Sequence, residues 1–293
     1  LTSATDVFNV GIGYNSLGAN TTGINNTAIG GESLDANTTA SNNTAVGKSA
    51  LGANTTGSPN TAVGESALAA NTTGARNTAV GSGALETETT GTDNIAIGHD
   101  ALNDVTTANF NIGIGSFAGD TMSTGASNTL IGYLAGTAIT TSDNNVAVGR
   151  SALLANTTAA GNTGIGTSAL AAVTTATGHV AVGFKALESN TSGDQNTAVG
   201  SGAAEANTTG RNNTAVGFEA FHVNTAGEDN VAIGTTALAL LTDGDDNTAV
   251  GSGALARQTT ASNNTAVGYF AGLNMTTGDR NVAVGALALD ANT

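Results

Sequence analysis

Asn43-Thr44-Ala45-Val46-Gly47 is the stretch that decides how this chain is read. With its glycine set as position zero, an equivalent glycine recurs every 17 residues from Gly13 to Gly285, in 17 copies without insertion or deletion. Ile or Val stands just before every one of them. The surrounding unit reads N-T-A-V-G-x-x-A-L-x-x-N-T-T-G-x-x. A short fixed period marks a repeat architecture, in which one unit cannot bury its apolar face alone and must stack on the next.

The stretch from −4 to −1 is expected to be a strand. Its −3 and −1 columns are β-branched (Thr, Val or Ile), a composition that suits a pleated surface and lowers helix propensity. Alternation puts −3 and −1 on one face. The constancy of Val46, Val63 and Val80 leads us to expect that face to point into the core. Gly30, Gly47, Gly64 and Gly81 then turn the chain, through a positive φ or a close backbone approach. A second corner is expected at +10, where Gly is frequent. Seventeen residues fit one coil, so the fold class is all-β: a parallel β-solenoid, or β-roll, of 17 coils forming one continuous repeat domain over 1–293.

Other columns read as structural devices. Asn26, Asn43, Asn60 and Asn77 belong to a −4 column that is Asn in 16 copies, with His179 the exception. Stacked amides can satisfy one another along a solenoid. Thr fills +8 in 16 copies and suggests a hydroxyl ladder. Leu at +4 gives way to Gly119, Gly136 and Gly272 in the copies where +2 becomes Phe117, Leu134 and Phe270 and +7 becomes Met122, Ile139 and Met275. The exchange says that +2, +4 and +7 share one packed space.

Two small-residue columns have a double reading. Ala45, Ala62 and Ala79 at −2, and Ala50, Ala67 and Ala84 at +3, would be interface residues if they face outward, because close approach of another chain keeps a surface column small. Alternatively the coil is thin and these alanines pack inside it.

Composition narrows the function. Twenty-two acidic residues against 7 basic give a net charge of −15, which leaves no basic stripe for nucleic acid. Cysteine is absent, so thiolate metal sites and disulfides are excluded. No apolar run approaches the ~18 residues of a membrane span. The chain starts at Leu1 and stops at Thr293, both inside a repeat, and lacks a signal peptide or terminal caps. It is therefore expected to be a processed or excised segment, either continued by further domains or stacked end to end with its neighbours.

Enzyme chemistry finds no footing. His99, His179 and His222 occupy three different columns, too far apart for a triad or a zinc site. Glu228, Asp229, Asp245 and Asp246 fall on adjacent coils at the −6/−5 corner and are the one candidate set for Ca²⁺, against the plainer reading of a solvated acidic edge. Tyr14, Tyr133, Phe184, Phe218 and Tyr269 at +1 could stack on a sugar or cover a corner. The Asn-Thr-Thr triplets at Asn20, Asn37 and Asn54 match a glycosylation acceptor, but the repeat explains them without a glycan. The adjacent Thr pair at +8/+9 is a poor ice-binding array, since the two would point to opposite faces.

Asn145-Val146-Ala147-Val148-Gly149 and Asn230-Val231-Ala232-Ile233-Gly234 resemble the head repeats of trimeric autotransporter adhesins of the YadA type, and the similarity recurs along the chain. The unit also looks like repeats of bacterial and phage surface fibres. The period of 17 is longer than in the adhesin heads, and the Asn-Thr-Thr-Gly segment lies outside their motif. The resemblance implies a parallel β-roll, trimeric assembly, surface display and adhesion. Together these observations lead us to expect a non-enzymatic, self-assembling extracellular or virion fibre segment. An adhesin head binding a surface or glycan receptor is the alternative, and an ice-binding solenoid is the third reading.

Overall fold

Every 17-residue repeat contributes one three-residue strand, and the strands pair in parallel. A computed structural model of the chain describes residues 8–291, so the terminal residues Leu1 and Thr293 lie outside the described part. There are two compact units, Leu1–Asn145 and Val146–Thr293. The first carries β1 to β8, from Val10–Ile12 to Thr129–Ile131, and the second β9 to β17, from Val146–Val148 to Val282–Val284. Within each unit every strand lies beside its sequence neighbour, offset by 17 residues: Thr44 pairs with Thr61, Ala45 with Ala62 and Val46 with Val63. No α-helix occurs among the described residues. The fold is the parallel β-solenoid that the period implies.

Coil-to-coil hydrogen bonding continues around the corner as well as along the strand. Thr44 N–H donates to Asn60 O at 2.9 Å, Ser49 N–H to Gly31 O at 2.9 Å, Leu51 N–H to Ala67 O at 3.0 Å and Thr55 N–H to Thr72 O at 3.0 Å. The backbone of each coil thus finds its partners on the coils above and below, as buried amides must.

The glycine at zero is required for both reasons foreseen. Gly47 has φ of 139°, and a Cβ there would stand 2.2 Å from the carbonyl oxygen of Gly64 on the next coil. Only a residue without a side chain lets the two backbones approach so closely. The turn that follows is tighter than a simple corner. Ser49 at +2 and Leu51 at +4 both take left-handed φ, 58° and 51°. A leucine there is an outlier that the surrounding packing must hold.

The faces of the strand are the reverse of the sequence expectation. Ala28, Ala45, Ala62 and Ala79 at −2 are fully buried, as are Ala50, Ala67 and Ala84 at +3. None of these alanines is an interface residue. The Val and Ile at −1 point outward instead, with Val63 37% and Ile97 39% exposed. The cause is volume. Leu51, Leu68 and Leu85 at +4 are fully buried and fill the thin coil, so the strand wall opposite has room only for a methyl group. Where the leucine leans further, even that is too much: a Cβ at Gly113 would lie 2.5 Å from Leu102.

The expected exchange of volume is present, but its partner is different. Phe117, Leu134 and Phe270 at +2 are only half-buried. Leu130, standing at −2 where Ala is usual, is fully buried and occupies the space freed by the missing leucines of two coils. A Cβ at Gly119 would meet its side chain at 2.6 Å, and one at Gly136 at 2.7 Å. Ile139 at +7 borders the same space, since a Cβ at Gly136 would also lie 2.9 Å from its side chain, and Met122 at +7 is fully buried as well.

Truncating Leu130 to Ala therefore leaves a cavity no neighbour can fill. It should destabilise the protein by about 2–5 kcal/mol, read from the urea midpoint. Adding Gly119→Leu, which clashes in the parent, should recover part of that loss in the double variant, giving a favourable coupling in a mutant cycle.

Candidate functional site

The strand face that the structure turns outward is the most regular surface each unit presents. Residues −3 and −1 of one coil stand side by side, and the parallel register places each directly above its equivalent, about 4.8 Å away. The face is two ranks wide. All residues of both ranks are Thr, Val or Ile, and not one carries a charge on a chain whose net charge is −15. β-Branched side chains are stiff at χ1, so the ranks hold their geometry without a partner. Such a surface can make a dry contact with a flat object, and the Thr hydroxyls of the −3 rank can bridge to water or another polar lattice.

The charges sit on the corners and pair along the stack. Arg76 Nε donates to Asp93 Oδ1 at 2.6 Å, Arg211 Nε to Glu228 Oε2 at 2.9 Å, and Lys185 Nζ lies 2.8 Å from Glu188 and 3.4 Å from Glu205. These surface pairs are exposed or half-buried and contribute little to stability.

The candidate calcium set does not converge. Glu228 is engaged by Arg211, Asp229 Oδ1 accepts from Asn212 at 3.0 Å, and Asp245 Oδ1 accepts from the Glu228 N–H at 2.8 Å. Among the described residues no three acidic, His or Cys side chains are grouped to hold a metal ion. The carboxylates of Glu228, Asp229 and Asp245 are thus occupied as acceptors for their own and neighbouring coils.

The aromatic residues at +1 are exposed, as read from the sequence. Counting by column missed one grouping. Phe117, at +2, links His99 and Tyr133 across three coils, with ring centroids 5.3 and 6.3 Å apart. The rings meet edge to face, at 68° and 77°, and so do not offer one plane to a sugar.

The polar columns are spent inside. The −4 ladder is carried mainly through the backbone: Asn43 Oδ1 accepts the backbone N–H of Asn60 at 2.8 Å, while Asn43 Nδ2 donates to Gly57 O at 3.0 Å. The expected amide-to-amide rungs join these bonds in some copies, as where Asn145 Nδ2 donates to Asn128 Oδ1 at 3.2 Å and Asn247 Nδ2 to Asn230 Oδ1 at 3.1 Å. Such rungs also occur in the +7 column, where Asn54 Nδ2 donates to Asn37 Oδ1 at 3.2 Å. Asn37 and Asn54, the acceptors of two Asn-Thr-Thr triplets, are therefore buried and engaged. At +8, Thr55 Oγ1 donates to Thr72 O at 3.1 Å, the hydroxyl ladder foreseen.

His179 shows how exacting the −4 column is. Its Nδ1 accepts the Asn196 N–H at 3.2 Å, standing in for an amide oxygen. Burial pushes its pKa down to about 4, against the smaller opposing pull of the Asp194 charge. The folded state then binds fewer protons than the unfolded between pH 6.5 and about 4. The stability tied to a neutral His179 is present above 6.5 and lost as pH falls through that window. His179→Asn restores an acceptor that does not titrate. It should remove that part of the acid loss, of order 2–3 kcal/mol, measured as the difference between thermal midpoints at pH 7 and pH 4.5.

No protein-family model, curated protein or solved structure matches the chain.

Proposed function

We propose that this chain is a structural segment of an extracellular fibre, which lies against a second copy of itself through the outward strand face. The observation that carries this reading is where the polar side chains go. The interior Asn columns and the Thr column bond coil to coil, at Asn43–Asn60, Asn37–Asn54 and Thr55–Thr72. Each repeat is built to hold the next, so stability grows by nearest-neighbour stacking. What remains for a partner is the uncharged double rank of Thr, Val and Ile, rimmed by polar corners. Moving the contact from the alanine columns to this face preserves the self-association that the adhesin-like repeats imply.

A second reading has its own support. Thr-x-Val and Thr-x-Ile pairs on one flat face, in register from coil to coil, form the kind of array that can order water for ice binding. These ranks, and not the Thr pair at +8/+9, would make that contact.

Light scattering after gel filtration separates the readings. Association predicts a species near a multiple of the 28.2 kDa chain, about 85 kDa for a trimer. Replacing Val46, Val63 and Val80 by Lys should return it to 28.2 kDa with an unchanged far-ultraviolet spectrum. A parent that is already monomeric at high concentration overturns the fibre contact. Thermal hysteresis from that monomer, abolished by the same three substitutions, would establish the second reading.

A further inference from the structure

The +7 column of the first unit contains a run of asparagines that ends on a carboxyl group. Asn37 Nδ2 donates to Asn20 Oδ1 at 2.9 Å, Asn54 Nδ2 to Asn37 Oδ1 at 3.2 Å, and Asn71 Nδ2 to Asn54 Oδ1 at 2.9 Å. The next rung is Glu88, which is fully buried. Beyond it the column turns apolar, with Val105, Met122 and Ile139.

Glu88 can play only half of the asparagine's part. In the second unit Asn224 shows the whole pattern: its Oδ1 accepts the Gly227 N–H at 3.0 Å, and its Nδ2 donates to the preceding Asn207 Oδ1 at 2.6 Å. Glu88 Oε1 likewise accepts the Gly91 N–H, three residues on. Its other oxygen, Oε2, accepts from Asn94 Nδ2 at 3.2 Å. An ionised carboxylate has no donor to offer the preceding rung. That rung is correspondingly unfinished: Asn71 Oδ1 is buried and lacks any hydrogen-bond partner. A buried polar atom in that condition is costly, and every other Asn-to-Asn step of the run avoids it.

We propose that Glu88 is carried as the neutral acid, that its O–H donates to Asn71 Oδ1, and that its ionisation opens the ladder at this rung, making it a proton-sensitive latch between two coils. One proton supplies the missing donor and removes the charge from an uncharged interior. The other titratable side chains of this coil and the two against it are Glu65, Arg76, Glu86, Asp93, His99, Asp100 and Asp104. All lie toward the surface; Arg76 pairs with Asp93 and His99 with Asp100, and none is a partner of Glu88. Burial accordingly dominates its titration and pushes the pKa up to about 7, against the N–H groups of Gly91 and Thr90, which favour the ionised form. Between the ordinary value of 4.5 and about 7 the folded state keeps a proton that the unfolded state has released. The stabilisation is complete below that window and is lost as pH rises through it.

The test uses the full chain and compares the parent with Glu88→Gln, whose amide nitrogen supplies the donor at every pH. Gln258 occupies the same column in the second unit, fully buried, where its amide nitrogen donates to Asn247 Oδ1 at 2.9 Å and Ala261 O at 2.7 Å while its Oε1 has no partner, so a coil of this kind accommodates a buried Gln and its donor. Between pH 5 and pH 8 the parent's thermal midpoint should fall relative to the variant's by about 5 °C. His179 contributes equally to both and cancels. Carbon-13 NMR of carboxyl-labelled glutamate should show one resonance titrating near neutrality in the parent and missing from the variant. Glu88→Asn, the residue of the preceding rungs, serves if Gln does not fold. Glutamates that all titrate in the ordinary range, or a variant offset equal at both pH values, would overturn the latch.

Discussion

The structure depends on a backbone contact repeated every 17 residues: the glycine at zero lies so close to the glycine of the next coil that a single added carbon would stand 2.2 Å from a carbonyl oxygen. That approach sets the stacking distance for everything else. It puts Thr, Ala and Val of one strand beside their own equivalents in the next. It also brings corner residues within reach of the same hydrogen bonds, although the corners are not strands. Insertion of one residue anywhere in a coil would break the register for all columns at once, which accounts physically for a period without exceptions.

The tight coil dictates what is inside. Three elements compete for a narrow interior: the strand's inward methyl groups, the leucine at +4 and the two Asn columns. The leucine takes most of the apolar volume at the expense of a left-handed backbone conformation, as at Leu51 and Leu68. The alanines at −2 and +3 fit what is left. When the leucine is absent from two successive coils, Leu130 crosses from the strand side to replace it. The interior is therefore conserved in volume across columns while its residues vary.

With so little apolar volume, polar bonding carries an unusual share of the specificity. The amides of the −4 and +7 columns are buried or half-buried, the hydroxyls at +8 half-buried or exposed, and both bond to the adjacent coil. Each works through a donor and an acceptor at the right height, so a polar substitute must reproduce the parts its neighbours use. His179 reproduces the acceptor by staying neutral. Glu88 reproduces the acceptor and, as the acid, the donor. His179 and Glu88 are both titratable, and their opposite charge types give opposite dependences on pH.

The period, the parallel β-solenoid and the demand for glycine at zero were legible in the sequence, because each follows from repetition and from the geometry of a residue with no side chain. The Thr ladder was legible for the same reason. Which strand face is inside was not. Alternation separates Ala45 from Thr44 and Val46, yet it does not say which set is buried, and the usual preference for buried Val and Ile pointed the wrong way. That assignment is a matter of how much room the opposite wall leaves, and the wall is made by Leu51 and the Asn columns, several residues away along the coil. The orphaned oxygen of Asn71 was equally hidden: a Glu in an Asn column reads as an ordinary surface exchange until the coil closes around it and takes it out of water.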